Sequence, residues 1–108
     1  MAVLNIQKIT SDGLNPVFVA ADAAGDEIPN GGRNVLHVKN GSAGQITVTI
    51  NSQRACNQGF DHDQTVDIPA GEERVIGPFN SSRFNNSNGR VEAAYSAAAN
   101  VTVAALEV

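Results

Sequence analysis

Apolar and polar residues alternate in a series of short runs along this chain, and turn-forming residues separate the runs. In Gln45-Ile-Thr-Val-Thr-Ile50, Ile46, Val48 and Ile50 fall on one side and Thr47 and Thr49 on the other. This is the period of a half-buried β-strand, and β-branched residues favour it. The same pattern runs through Asn34-Val-Leu-His-Val-Lys-Asn40, and the intervening Gly41-Ser-Ala-Gly44 suits a hairpin between the two strands. Residues 3–9 put Leu4 and Ile6 on one face and predict an N-terminal strand, closed by a turn at Ser11-Asp-Gly13. Residues 14–30 predict an irregular segment with a strand fragment around 17–20. Residues 52–63 break the alternation and read as a long loop, a kind of connection that often carries function.

Strands resume at 64–69, with Val66 and Ile68 inward, and at 73–79 beyond the turn Pro69-Ala-Gly71. Two more are predicted at 90–96 and 100–107, joined by a spacer short enough for a tight hairpin. Phe84, inside the turn-rich stretch 80–89, is expected to plug the open end of a core. The reading is an all-β fold with seven to eight strands and no clear helix, although Ala20-Ala-Asp-Ala-Ala24 could equally start one helical turn. It forms a single domain, 1–108, built as an antiparallel β-sandwich of the jelly-roll or Ig-like kind. The expected core is Leu4, Ile6, Leu36, Val38, Ile46, Val48, Ile50, Val66, Ile68, Ile76, Val91, Ala93, Tyr95, Val101 and Val103.

Composition narrows the function classes. The chain carries seven basic and eleven acidic residues, a net charge of −4, and its basic residues are scattered. A basic surface for nucleic acid or for an anionic membrane is therefore not expected. Charged residues make up 17% of the chain, below the usual quarter. Such a polar but weakly charged surface suits packing against other protein. The single cysteine, Cys56, cannot form an internal disulfide, which points to folding in a reducing cytoplasm. The N-terminal residues carry no secretory signature, and no apolar run is long enough to span a bilayer.

Candidate chemistry is sparse. Asp61-His62-Asp63 is the one dense polar cluster, and an imidazole between carboxylates can ligate a divalent ion. A structural metal site needs three or four converging ligands, however, and a solvated loop explains the cluster with less. Cys56 lacks a nucleophile signature around it, and no serine sits in a nucleophile elbow. The glycines at 31–32 and 41–44 precede neither a Lys-Ser/Thr pair nor a helix, so they read as turns rather than phosphate loops. No catalysis, cofactor or metal is expected. The chain has no Trp, which weighs against the aromatic platforms of a sugar-binding module.

The segments Val35-Leu-His-Val-Lys-Asn-Gly41, Ile46-Thr-Val-Thr-Ile50, Ile68-Pro-Ala-Gly71, Arg74-Val-Ile-Gly-Pro-Phe79, Phe84-Asn85, Gly89 and Val101-Thr-Val-Ala-Ala-Leu106 carry a resemblance. They resemble small virion structural proteins of tailed bacteriophages and prophages, encoded near the major capsid protein. The resemblance implies a capsid decoration (cement) protein, present as a homo-oligomer or in many lattice copies on the capsid surface after synthesis in the host cytoplasm, with the major capsid protein as partner. Other expectations kept open are a head–tail junction or tail component and a virion-surface carbohydrate-binding module. Contacts are expected from segments that break the strand pattern, namely residues 1–20 and the loop 52–63. Within that loop Arg54, Phe60 and Asp61 are the expected anchors, because arginine and aromatic side chains combine buried area with directed polar contacts.

Overall fold

The computed structural model describes residues 2–53 and 63–108. Strands dominate: β1 (Ala2–Val3), β2 (Ile6–Lys8), β3 (Val19–Ala20), β4 (Asp26–Pro29), β5 (Asn34–Asn40), β6 (Ile46–Ile50), β7 (Gln64–Ile68), β8 (Glu73–Ile76), β9 (Arg90–Tyr95) and β10 (Val101–Glu107). One helical turn, α1 (Ser81–Phe84), separates β8 from β9. These ten strands among the described residues exceed the seven or eight expected, because the N-terminal third holds several very short ones.

The strands form two five-stranded sheets. The first has the order β1-β4-β9-β6-β7; the second has β2-β10-β5-β8, with β3 on β10 beside β2. Both sheets are mixed. The β1–β4 and β2–β10 pairs are parallel, where an antiparallel frame throughout was expected, and the remaining pairs are antiparallel. The parallel pairs arise because the expected N-terminal strand is split. Leu4 N–H donates to the Glu27 carbonyl in the first sheet, and Ile9 N–H donates to the Glu107 carbonyl in the second. The chain passes from one sheet to the other at Leu4-Asn5, which buries Leu4 between them.

Both expected hairpins are overturned. β5 and β10 lie in the second sheet, β6 and β9 in the first. Among the described residues, β6–β7 is the one pair of consecutive strands bonded to each other. Gly41–Gly44 is therefore an arch from sheet to sheet. Its anchor is Asn40, 2% exposed. The Asn40 Nδ2 group donates to the carbonyls of Gly44 and Ile68, both at 2.9 Å, and its Oδ1 accepts from the Ser42 N–H at 3.0 Å and the Ser42 hydroxyl at 2.6 Å. Gly41 is held against β10's entry, its N–H donating to the Asn100 carbonyl at 2.9 Å. A Cβ on Gly41 would stand 2.8 Å from that same oxygen, so the arch requires glycine there.

One core serves both sheets. Ile28, Ile46, Val48, Ile50, Ile68, Val91 and Ala93 come from the first sheet, and Leu36, Val38, Ile76, Val101, Val103 and Ala105 from the second. Of the expected core residues, Ile6, Val66 and Tyr95 are half-buried and pack against this cluster, and the others are buried. Phe84 is buried as expected, edge-on to Phe79 with ring centroids 6.2 Å apart. A second, smaller cluster lies on the outer face of the second sheet, where Leu14 and Phe18 cover Val35, Ala104 and Leu106. The covering segment is pinned by Gln7, whose side-chain amide bonds the Val17 carbonyl and N–H, each at 2.9 Å. β10 is thus buried on both faces over Val103–Leu106, which is why its sequence loses the alternation of β6.

Candidate functional site

The edge strands β7 and β8 lie side by side, one at the border of each sheet, joined by the turn at Pro69–Gly71. A groove of about 390 Å³ opens between them, lined by Gln64 and Val66 from β7, Arg74 to Ile76 from β8, and Gly77, Pro78, Phe79, Arg83 and Phe84 beyond it. Its apolar floor follows from the core. Val66 is the cross-strand partner of Val48, and Ile76 of Leu36, so both side chains point between the sheets. Arg74 is the partner of Val38 and therefore brings its stem to the same side, at the groove's mouth. Its Nη2 pairs with Glu72 Oε1 at 3.0 Å and its Nη1 donates to the Glu73 carbonyl at 2.8 Å. Arg83 lies with its guanidinium carbon 4.8 Å from the centroid of the Phe84 ring.

A bulge sets the phase of this edge. Gly71, at φ 76°, donates its N–H to the Asn40 carbonyl, while Asn40 N–H donates to the Glu72 carbonyl, both at 2.9 Å. Two residues thus face one, with glycine in the left-handed position that such a bulge needs. Continuing the antiparallel alternation from Asn40, Arg74 and Ile76 exchange bonds with β5, and the backbone groups of Glu73 and Val75 point away from the sheet. Val75 is also 59% exposed. β8 is four residues long and carries Glu73 and Arg74 beside the bulge, features that confine edge pairing to a short stretch, and among the described residues no strand pairs with its outer edge.

Arg54, Phe60 and Asp61, the anchors expected from the sequence, lie outside the described residues, as do Cys56 and His62. Asp63, at the loop's base, accepts the Ser52 N–H at 2.8 Å through Oδ1. Gln53 N–H donates to the Arg83 carbonyl at 2.8 Å, which ties the start of the loop to the groove's far end. The expected N-terminal contact region, 1–20, is largely engaged within the fold through β1, β2, β3 and the cover over Val35 and Leu106. His37 pairs with Glu73 at 2.9 Å and meets the Phe18 ring edge-on at 4.9 Å. Among the described residues no three His, Cys, Asp or Glu side chains gather where they could hold a metal ion, and no helix is long and apolar enough to cross a membrane.

A buried carboxyl sits elsewhere, at the start of β4. Asp26 is fully buried. Its Oδ2 accepts the Tyr95 hydroxyl at 2.7 Å and the Asp22 N–H at 3.4 Å, while Oδ1 has no partner among the described residues. Burial pushes the Asp26 carboxyl above its ordinary value, against the hydrogen bond from Tyr95, and burial together with the carboxylate pushes the Tyr95 phenol up. The fold therefore favours the neutral acid. Asp26 contributes most to stability below the ordinary carboxylate pKa, and that contribution is lost as pH rises through its raised folded value. Asp26→Asn mimics the neutral acid, so its melting temperature should gain on wild type as pH rises between about 3 and 8. Parallel thermal melts across that range measure the difference; a difference that stays constant or narrows would contradict the assignment.

No family model, curated protein or solved structure matches this chain.

Proposed function

We propose that this protein is a structural component of a tailed-phage virion, a non-catalytic capsid decoration protein that binds the major capsid protein lattice in many copies on the capsid surface. The proposal unites the resemblance of its strand and turn segments to such proteins with one observation: among the described residues no strand pairs with the outer edge of β8, which lies above an apolar groove. An edge of this kind is a template for pairing with another chain. A lattice repeats one weak contact many times, so each copy needs only a modest interface. We read the two sheets as a sandwich of the jelly-roll or Ig-like kind. Support comes from the core they share and from the passage of most connections between them. Arg54, Phe60 and Asp61 belong to the proposal as contact residues.

The test mixes purified protein with undecorated mature capsids and sediments them. Capsids should carry the wild-type protein into the pellet, and Arg54→Ala with Phe60→Ala should reduce the pelleted fraction. Protein that stays in the supernatant with capsids but pellets with a tail or portal preparation would move the assignment to the head–tail junction or tail.

A further inference from the structure

We propose that the edge of β8, with the groove beneath it, takes an extended segment of a partner polypeptide as an added strand whose inward side chains alternate acidic and apolar. The inference deepens the partner-binding reading above and rests on it for the partner's source. The geometry specifies the occupant. Val75 presents its backbone N–H and C=O outward, because the bulge at Gly71-Glu72 commits Arg74 and Ile76 to β5. A strand laid against Val75 would extend the second sheet, and every other side chain of that strand would point between the sheets, over the groove. Its inward neighbours on β8 are Arg74 and Ile76.

The position beside Ile76 faces apolar walls formed by Val66, Pro78, Phe79 and Phe84. The position beside Arg74 faces its guanidinium, which lies at the groove's mouth. The Arg74–Glu72 pair is no barrier, since both side chains are about half exposed and exposed pairs of this kind contribute little. An incoming carboxylate beside Arg74 gains a charge-assisted contact in a less hydrated place. The recognition code is therefore an acidic residue and an apolar residue two positions apart on an extended backbone. The Glu73 carbonyl is occupied by Arg74 Nη1, which centres the added strand's backbone bonds on Val75.

The experiment pans a random dodecapeptide library against the immobilised full chain and tests the selected peptides in solution. Selected sequences should share the acidic–x–apolar spacing. They should shift the Val75 amide resonance and slow its hydrogen exchange. Methylating alternate backbone nitrogens of a selected peptide should weaken it about tenfold, as expected for loss of a backbone hydrogen bond. Arg74→Gln, an exposed change that leaves the backbone edge intact, should erase the acidic preference while keeping the apolar one. Peptides that bind without affecting Val75, a library that yields no enrichment, or a concentration-dependent dimer of the chain itself that protects Val75 would each overturn the proposal. Failure of capsid co-sedimentation alongside peptide binding at Val75 would sink the virion assignment and leave the added strand standing; the converse result would do the opposite.

Discussion

Val48→Asp should abolish cooperative unfolding of this protein, while Thr49→Asp, one residue on, should leave a folded domain. Val48 is fully buried at the centre of β6, flanked in register by Val66 on β7 and Tyr95 on β9. Removing the valine forfeits about 1.5–3 kcal/mol of burial. The incoming carboxylate meets no cation in the core and must either stay charged in an apolar place or take up a proton, at a further cost of several kcal/mol. Together these losses rival the whole stability of an ordinary domain, about 5–15 kcal/mol. Thr49 points to the opposite face and is half-exposed, so aspartate there costs about 1 kcal/mol in strand preference. Far-UV circular dichroism and urea melts of both variants provide the measurement. Similar losses in the two would mean that β6 does not present alternate residues to core and solvent.

The second large effect is expected at the arch between the sheets. Asn40→Leu should lower stability by about 2–4 kcal/mol, since it removes the side-chain bonds to the carbonyls of Gly44, Ile68 and Pro69 and two acceptor contacts at a buried position. Ser42→Ala, which keeps the Asn40 amide in place, should cost about 1 kcal/mol. Denaturant midpoints at unchanged m-values would measure both. The contrast separates an arch from a hairpin: at the exposed end of a hairpin an asparagine would be nearly neutral to leucine, and a near-zero loss would argue that β5 and β6 pair directly.

The alternation of apolar residues was enough to identify the strands β5, β6, β7, β9 and β10 and most of the residues they turn into the shared core, because one buried face imposes a period of two that any pairing must respect. It also marked Phe84 as a core plug, since an isolated phenylalanine in a turn-rich stretch has few other places to go. It did not identify β4: Asp26 and Pro29 break the apolar pattern, and buried Asp26 takes hydrogen bonds from the Asp22 N–H and from the hydroxyl of Tyr95, which is distant in sequence. Buried Ala104 and Leu106 were likewise hidden, because their cover comes from Leu14 and Phe18 at the other end of the chain.

Partner choice was the larger thing the sequence left undetermined. A short link rich in glycine and serine serves equally as a hairpin turn or as an arch to the opposite sheet, since both need a tight reversal and the flanking strands bury the same faces either way. The choice between them was made by tertiary contacts: the Asn40 amide reaching Ile68, and Gly41 fitting against Asn100. The candidate edge followed from that choice. Val75 reads in sequence as one more apolar strand residue, and only the bulge at Gly71-Glu72 and the placement of β8 at the border of its sheet turn its backbone groups outward. The residue types and faces were thus set locally by periodicity. The order of the strands, and with it which strands border the sheets, was set by side-chain and backbone contacts between residues far apart in the sequence.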